Sequence, residues 1–439
     1  MTQLNNKLDS RILNPAVIVA ALGNFVDVFD LVLFAVVRVR SLKELGFTPE
    51  QITNEGTQLL DWQMGGMLLG GILWGIMGDK KGRLSVLFAS IFTYSIANIA
   101  NGFVETMEMY IFWRFIAGIG LAGELGAGIT LVTEVMPKEK RGYGAMIVAA
   151  LGLLGAVAAK FVVDALDWRI AYYIGGGMGL LLLVLRISVQ ESQMFEKVKS
   201  ENRGTQGNFL ALFRCFVSFD KKDWDLFSRY ARCVLMGVPI WYVIGILIHL
   251  SPEFGRELGI HQDVDVGYAV MISYGGAALG DLLSGTISQF MRSRIKVMII
   301  FLCLDATASV VYHFIAGWDL HSFYSFFFFF GIGGGFWLML LTISAEQFGT
   351  NIRATVTTTV PNFVRGSVIA IHGLFHFLRI PHTIDFSFIH SSMVFHFDLG
   401  FTFIQSSMIV GAIVFVIAIL SAISMRETFG KDMNFTEDI

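Results

Sequence analysis

Gly75-Ile76-Met77-Gly78-Asp79-Lys80-Lys81-Gly82-Arg83 is a short polar stretch with a long apolar run on either side. Its glycines and Asp79 suit a tight hairpin between two helices. Its three basic residues mark one face of a membrane, because Lys and Arg collect in loops that stay cytoplasmic. A bilayer core takes about 20 apolar residues per helix, and the flanking runs are of that length.

The rest of the chain repeats this pattern. Of 439 residues, 54% are hydrophobic, 13% aromatic and only 15% charged, so water is not the main solvent. Twelve apolar stretches read as spans, at 15–37, 58–78, 84–103, 109–132, 143–163, 169–189, 228–250, 266–290, 297–316, 322–345, 357–379 and 401–424. Basic residues fall in alternate loops: Lys80, Lys81 and Arg83, then Lys138, Lys140 and Arg141, then Arg292, Arg294 and Lys296, and finally Arg353, Arg426 and Lys431. Those loops are assigned to the cytoplasm. Arg38, Arg40 and Lys43, at the outer end of the first span, weaken the bias without reversing it. An even number of spans places both termini inside, and a bacterial inner membrane is the expected location. Met1–Asn14 lacks the layout of a signal peptide, so the first apolar run is expected to stay. A net charge of −3 offers no surface for nucleic acid. Cys215, Cys233 and Cys303 have no metal or disulfide spacing and read as packing residues.

The longest polar segment, 190–225, lies near the midpoint and divides the chain into a first bundle (1–190), a cytoplasmic linker (191–225) and a second bundle (226–439). Glu134 and Arg141 bracket the loop after the fourth span, as Glu346 and Arg353 bracket the loop after the tenth, and each pair is seven residues apart. Each also follows a glycine-rich helix, where small residues let backbones approach. The fold class expected is all-α, with twelve transmembrane helices in two six-helix bundles, an architecture transporters use.

The opening stretch resembles the cytoplasmic signature of the major facilitator superfamily. Arg114-Phe-Ile-Ala-Gly118-Ile-Gly120 is similar to that family's fourth-helix pattern, and Glu134-Val-Met-Pro137-Lys-Glu-Lys-Arg141-Gly142 to its E-x-x-P-x-x-x-R-G loop. Within the superfamily, Gly23-Asn-Phe-Val-Asp27-Val-Phe-Asp30 and Gly123-Glu124-Leu-Gly126 look like the metabolite:proton symporters, with sugar porters as near relatives. The chain departs from the pattern in its second half: Gly285-Thr-Ile-Ser288-Gln-Phe-Met-Arg292-Ser-Arg294 keeps the basic end and loses the central Asp. It also lacks, after Gly152 and Gly155, the Gly-Pro pair of the drug/proton antiporters. The resemblance implies a secondary transporter working by alternating access, with no cofactor and no use of ATP.

Charges inside spans are the informative ones, because each costs about 2.5–3.5 kcal/mol on insertion scales unless it faces a cavity or a partner. Asp27 and Asp30 share a face of the first helix at i and i+3, and Arg114 lies in the fourth. In sugar porters an Asp of the first helix and an Arg of the fourth couple protons, and Asp30 and Arg114 stand at the matching positions. The alternative is a static pair that only fixes packing. Asp27 and Glu124 complete the proton-coupling candidates. Lys160 and Arg365, one in each half, are the candidate cations for a substrate carboxylate; the alternative for both is snorkelling to an interface. Gly78, Asp79, Gly82, Arg83, Glu134, Arg141, Glu346 and Arg353 are the candidates for gating, against the simpler role of setting topology. Asp305 reads as structural.

His372 and His376 are i and i+4, followed by His382, His390 and His396, but no thiolate or carboxylate shares their helical face, so no metal is assigned. No nucleophile–base set, phosphate loop or zinc motif appears, and an enzyme is not expected. The partners expected are a small-molecule substrate, protons and the lipid bilayer, for a monomer. Proton-coupled symport of a small organic acid or zwitterion is the leading function. Efflux or facilitated diffusion of another solute, and a non-transporting receptor on the same fold, are the alternatives.

Overall fold

A computed structural model describes the backbone of residues 15–124, 126, 128, 132, 141–186, 208–379, 382–388, 391–397, 400–431 and 435–437. The first half contains α1 (Pro15–Glu44), α2 (Pro49–Lys81), α3 (Arg83–Asn101), α4 (Met107–Leu121), α5 (Arg141–Ala165) and α6 (Trp168–Arg186). The second contains α7 (Lys221–Tyr242), α8 (Val266–Met291), α9 (Arg294–Tyr312), α10 (Leu320–Gly334), α11 (Trp337–Gln347), α12 (Arg353–Arg379) and α13 (Phe403–Ile423). Among the described residues, eight helical stretches are long and apolar enough to cross a membrane.

Several helices outrun their apolar cores. α2 starts at Pro49 because Thr48 and Gln51 form a reciprocal capping box and Pro49 has no N–H to lose there. α1 continues to Glu44 through Arg38 and Arg40, whose guanidiniums find partners: Arg38 Nη1 lies 2.9 Å from His249 Nε2, and Arg40 Nη1 donates to the Val163 carbonyl at 2.5 Å. Helical structure begins inside the expected linker. Residues 208–218 already form helical turns, Asp220 caps α7, and 191–207 lie outside the described residues.

Two spans are irregular where polar groups collect. α7 contains Pro239 and continues into a π-helical turn at Val243–Ile248. The tenth span breaks at Gly335 and Phe336 into α10 and α11. An N-terminal amide orphaned by that break, Leu338 N–H, donates to Asp281 Oδ1 of α8 at 3.2 Å. Between α12 and α13, where a loop was expected, β1 (His382–Phe388) and β2 (Ser391–Phe397) form an antiparallel hairpin.

The two halves repeat one another at contact level. A Cβ on Gly66 would stand 2.1 Å from the Phe115 carbonyl oxygen, and one on Gly118 2.1 Å from that of Gln63, so α2 and α4 touch backbone to backbone. Gly276 meets Phe328 at 2.1 Å and Gly331 meets Ser273 at 1.9 Å in the same way, joining α8 to α10. The signature loop repeats too. Gly82 joins α2 to α3 at φ 103°, a backbone shape that suits glycine. Its counterpart Arg292 joins α8 to α9 at φ 47°.

Candidate functional site

A cavity of about 110 Å³ lies between the halves. A water needs about 10–15 Å³ of such space, so the cavity suits a small solute. α1 supplies Asn24, Val28 and Leu31, and the second half supplies most of the remaining wall, including Arg365, Asp281 and Asp305.

Arg365 of α12 reaches across to α1, where its Nη2 is 3.6 Å from Asp27 Oδ2, with side chains 4% and 0% exposed. Its Nη1 is 3.4 Å from Asn362 Oδ1, and its guanidinium carbon is 5.8 Å from the Trp337 ring centre. The ion pair is long: among the described residues neither Asp27 oxygen has a hydrogen-bond partner within 3.5 Å, nor does Arg365 Nε. Asp30, one turn along α1, is also fully buried, with the Asn98 side chain beside it. A Cβ on Gly175 of α6 would lie 2.3 Å from Asp30 Oδ1, so only glycine leaves room there.

Direct pairing of Asp30 with Arg114 is corrected. Among the described residues no ion pair joins them. Arg114 is close enough to act on Asp30 electrostatically, but its Nη2 donates to Gln63 Oε1 of α2, and the guanidinium sits 4.7 Å above the Phe34 ring. Gln63 offers the nearer acceptor, and the aromatic face holds the cation without a counter-carboxylate. Glu124 is buried just beyond α4 and acts electrostatically on Asp27.

Lys160 has protein partners: Nζ donates to Asp164 Oδ1 at 2.6 Å, Asp164 Oδ2 at 2.8 Å and Asp265 Oδ2 at 2.9 Å. Asp164 is one turn along α5, and Asp265 caps α8 of the other half. Lys160 is therefore a link between halves, at the end opposite the signature loop. Nearby, His372 Nδ1 lies 2.8 Å from Asp61 Oδ1 of α2, a second link across the halves.

At the signature end Asp79 joins the halves. Its carboxylate accepts from Ala354 N at 3.2 Å, Thr355 N at 2.8 Å and Thr355 Oγ1 at 2.6 Å. It thus caps the N-terminus of α12, where free amides and the helix dipole favour an anion. Gly78 lies beside this contact, with Ala354 Cβ 3.5 Å from where its own Cβ would be. Arg83 and Arg141 begin α3 and α5, and their side chains lie outside the described residues, as does Glu134. Glu346 pairs with Arg294 at 3.5 Å. Arg353 is fully buried and donates to the Ala345 and Phe348 carbonyls at 3.1 and 3.3 Å, closing the C-terminal end of α11.

Sequence reasoning missed Asp281 and gave Asp305 only a structural role. The signal was available, because each is a carboxylate inside an apolar span, and the charges of the second half were undercounted. The halves are thus in contact at both ends of a cavity that holds one arginine and several carboxylates.

The family model of the Major Facilitator Superfamily matches residues 20–378. A Haemophilus influenzae protein named for metabolite transport is 28% identical over 367 residues, covering 80% of this chain and 85% of that one. A Bacillus subtilis protein named for niacin and nicotinamide transport is 25% identical over 431 residues, covering 95% and 96%. Among solved structures, the superfamily's proton:xylose symporter bound to 6-bromo-6-deoxy-D-glucose matches with a TM-score of 0.65 at 16% identity, covering 95% of this chain and 97% of that one.

Proposed function

The chain belongs to the major facilitator superfamily and is a multi-pass membrane transporter rather than an enzyme, and from that premise we propose that it is a proton-coupled symporter of a small metabolite bearing a carboxylate. The observation that carries this reading is the Asp27–Arg365 pair beside the cavity. With Asp27 ionised, the guanidinium has a protein counter-ion. A proton on Asp27 removes that counter-ion, and a buried arginine then needs another anion. A substrate carboxylate supplies it, gripped by the planar fork of donors. Proton and substrate therefore favour each other's binding by equal factors, as linkage requires. Asp30, one turn away and equally buried, extends the proton's path.

Alternating access follows from the two closures. Asp79 of α2, capping α12, holds the signature end, taken as cytoplasmic, and Lys160 with Asp265 holds the opposite end. A state open to one side keeps one closure and breaks the other, and the difference in contacts sets the populations. The proposed layout is a first bundle to 190, a linker to 225 and a second bundle beyond it. Both termini are cytoplasmic, in a monomer of the bacterial inner membrane.

The test uses proteoliposomes with an inward proton gradient and a panel of labelled small carboxylates and amino-carboxylates. A solute that accumulates with the gradient is then tried on Asp27→Asn, which is expected to exchange it without concentrating it. Accumulation indifferent to the gradient, or unimpaired in Asp27→Asn, would overturn proton coupling in favour of facilitated diffusion.

A further inference from the structure

The cavity's charges are unbalanced. Arg365 lies on its wall, with Asp27 beside it, and two further carboxylates, Asp281 of α8 and Asp305 of α9, line the same space. Asp281 is accounted for, since it accepts the Leu338 amide at the broken helix. Asp305 is not. It is fully buried, and among the described residues neither of its oxygens has a hydrogen-bond partner. It stands directly against the break in the tenth span, where a Cβ on Gly333 would be 3.0 Å from Asp305 Oδ1. A side chain larger than glycine at 333 would crowd the carboxylate.

A buried carboxylate facing a cavity needs a positive partner whenever it is ionised. The rest of the wall indicates which kind. Trp241, Tyr274, Phe330 and Trp337 line the same cavity. Aromatic faces suit a diffuse organic cation such as a substituted ammonium, whereas a hard metal cation needs a shell of several oxygen ligands. We propose that Asp305 is the binding carboxylate for the cationic end of a zwitterionic solute, in a cavity whose wall also carries Asp281 and aromatic rings. This rests on the transport reading above and narrows it: the substrate's carboxylate goes to Arg365, and its ammonium group goes to Asp305. A simple organic anion leaves Asp305 without a partner and is the poorer ligand.

The test compares probes of equal shape and different charge. N,N,N-trimethylglycine and 3,3-dimethylbutanoate differ only by a nitrogen in place of a carbon, as do 1-methylpyridinium-3-carboxylate and 3-methylbenzoate. Each is offered to the full-length protein in proteoliposomes, reading uptake or counterflow, and in detergent, reading thermal stabilisation. The expected result is a preference of roughly tenfold or more for the charged member of a pair, the loss of one charge-assisted contact. Asp305→Asn is expected to erase that preference, and Asp305→Glu to restore part of it. Equal or better transport of the carbon analogues overturns the assignment but leaves the transport reading standing. Stabilisation by sodium chloride alone, or an undiminished preference in Asp305→Asn, also overturns it. If no member of either pair moves or binds, the zwitterion assignment falls. If the wider panel of carboxylates then fails as well, the transport reading falls with it.

Discussion

Asp27 of α1 and Arg365 of α12 form an ion pair across the two halves at 3.6 Å, with both side chains almost wholly out of solvent. The distance exceeds that of a hydrogen-bonded pair, so the charges hold each other without locking. That is the arrangement a switch needs, because a tight bidentate pair would resist both the proton and the competing substrate carboxylate.

The pair's energy is open to a double-mutant cycle. Asp27→Asn and Arg365→Met each leave a buried charge alone, and breaking such a pair from one side costs about 3–5 kcal/mol. Each single variant is expected to lower the melting temperature in detergent, and the double variant to lose less than the two single losses added together. The coupling term expected is about 1–3 kcal/mol. Additive losses would mean that the two charges do not interact.

Asp79 gives a prediction about rate rather than affinity. Asp79→Ala removes the acceptor for two amides and a hydroxyl at the start of α12, and a helix cap contributes about 0.5–2 kcal/mol. Counterflow is expected to slow while the apparent dissociation constant stays within about twofold, a change under 0.5 kcal/mol, because Asp79 is not part of the cavity wall. A large loss of affinity at normal turnover would contradict this.

How much of this was legible in the sequence depended on distance along the chain. The spans could be read because apolar length is a local property, and Asp79 because its motif is contiguous. Arg365 was identifiable as a cation inside a span, but its partner Asp27 lies in the other half, and no spacing rule connects them. Asp164, the partner of Lys160 on its own helix, sits at i+4, a relation the sequence does display. The second partner of Lys160, Asp265, was out of reach for the same reason as Asp27. The break at Gly335 was hidden because the apolar run continues through it, and with it went the reason for Asp281.

The Lys160–Asp265 link should hold the end opposite the signature loop. Asp265→Asn leaves Lys160 with Asp164, and since the Asp265 side chain is 52% exposed, the loss expected is modest, about 0.2–1 kcal/mol. That shifts a two-state population by up to about fivefold. The measurement is labelling of Leu31→Cys, on the cavity wall, by an impermeant thiol reagent from that side, with exposed Cys303 changed to Ser. Faster labelling is expected. An unchanged rate would show that the link is a surface contact without a gating role.

The glycine contacts make the sharpest claim about architecture, because each half supplies its own control. At Gly118 and Gly331 an added methyl would stand 2.1 and 1.9 Å from a backbone carbonyl of the neighbouring helix. A carbonyl in a helix cannot swing aside as a side chain can, so α2 must part from α4, or α8 from α10. Overpacking of this kind costs about 1–3 kcal/mol, and membrane helices held by close backbone approach have no hydrophobic effect between them to compensate. Gly65 and Gly275, on the same helices α2 and α8, have nothing within 4 Å of an added methyl. There alanine should be neutral or stabilise by about 0.5–1 kcal/mol, since glycine in a helix interior loses more conformational freedom on folding. The prediction is a fourfold comparison in one detergent: Gly118→Ala and Gly331→Ala melt several degrees lower than the parent, while Gly65→Ala and Gly275→Ala match or exceed it. If all four behave alike, the helix pairs are not in backbone contact and the contact-level repeat between the halves is wrong. If only the first-half variants behave as described, the repeat fails in the half that supplies most of the cavity wall, and the placement of Asp281 and Asp305 against the broken span would fail too.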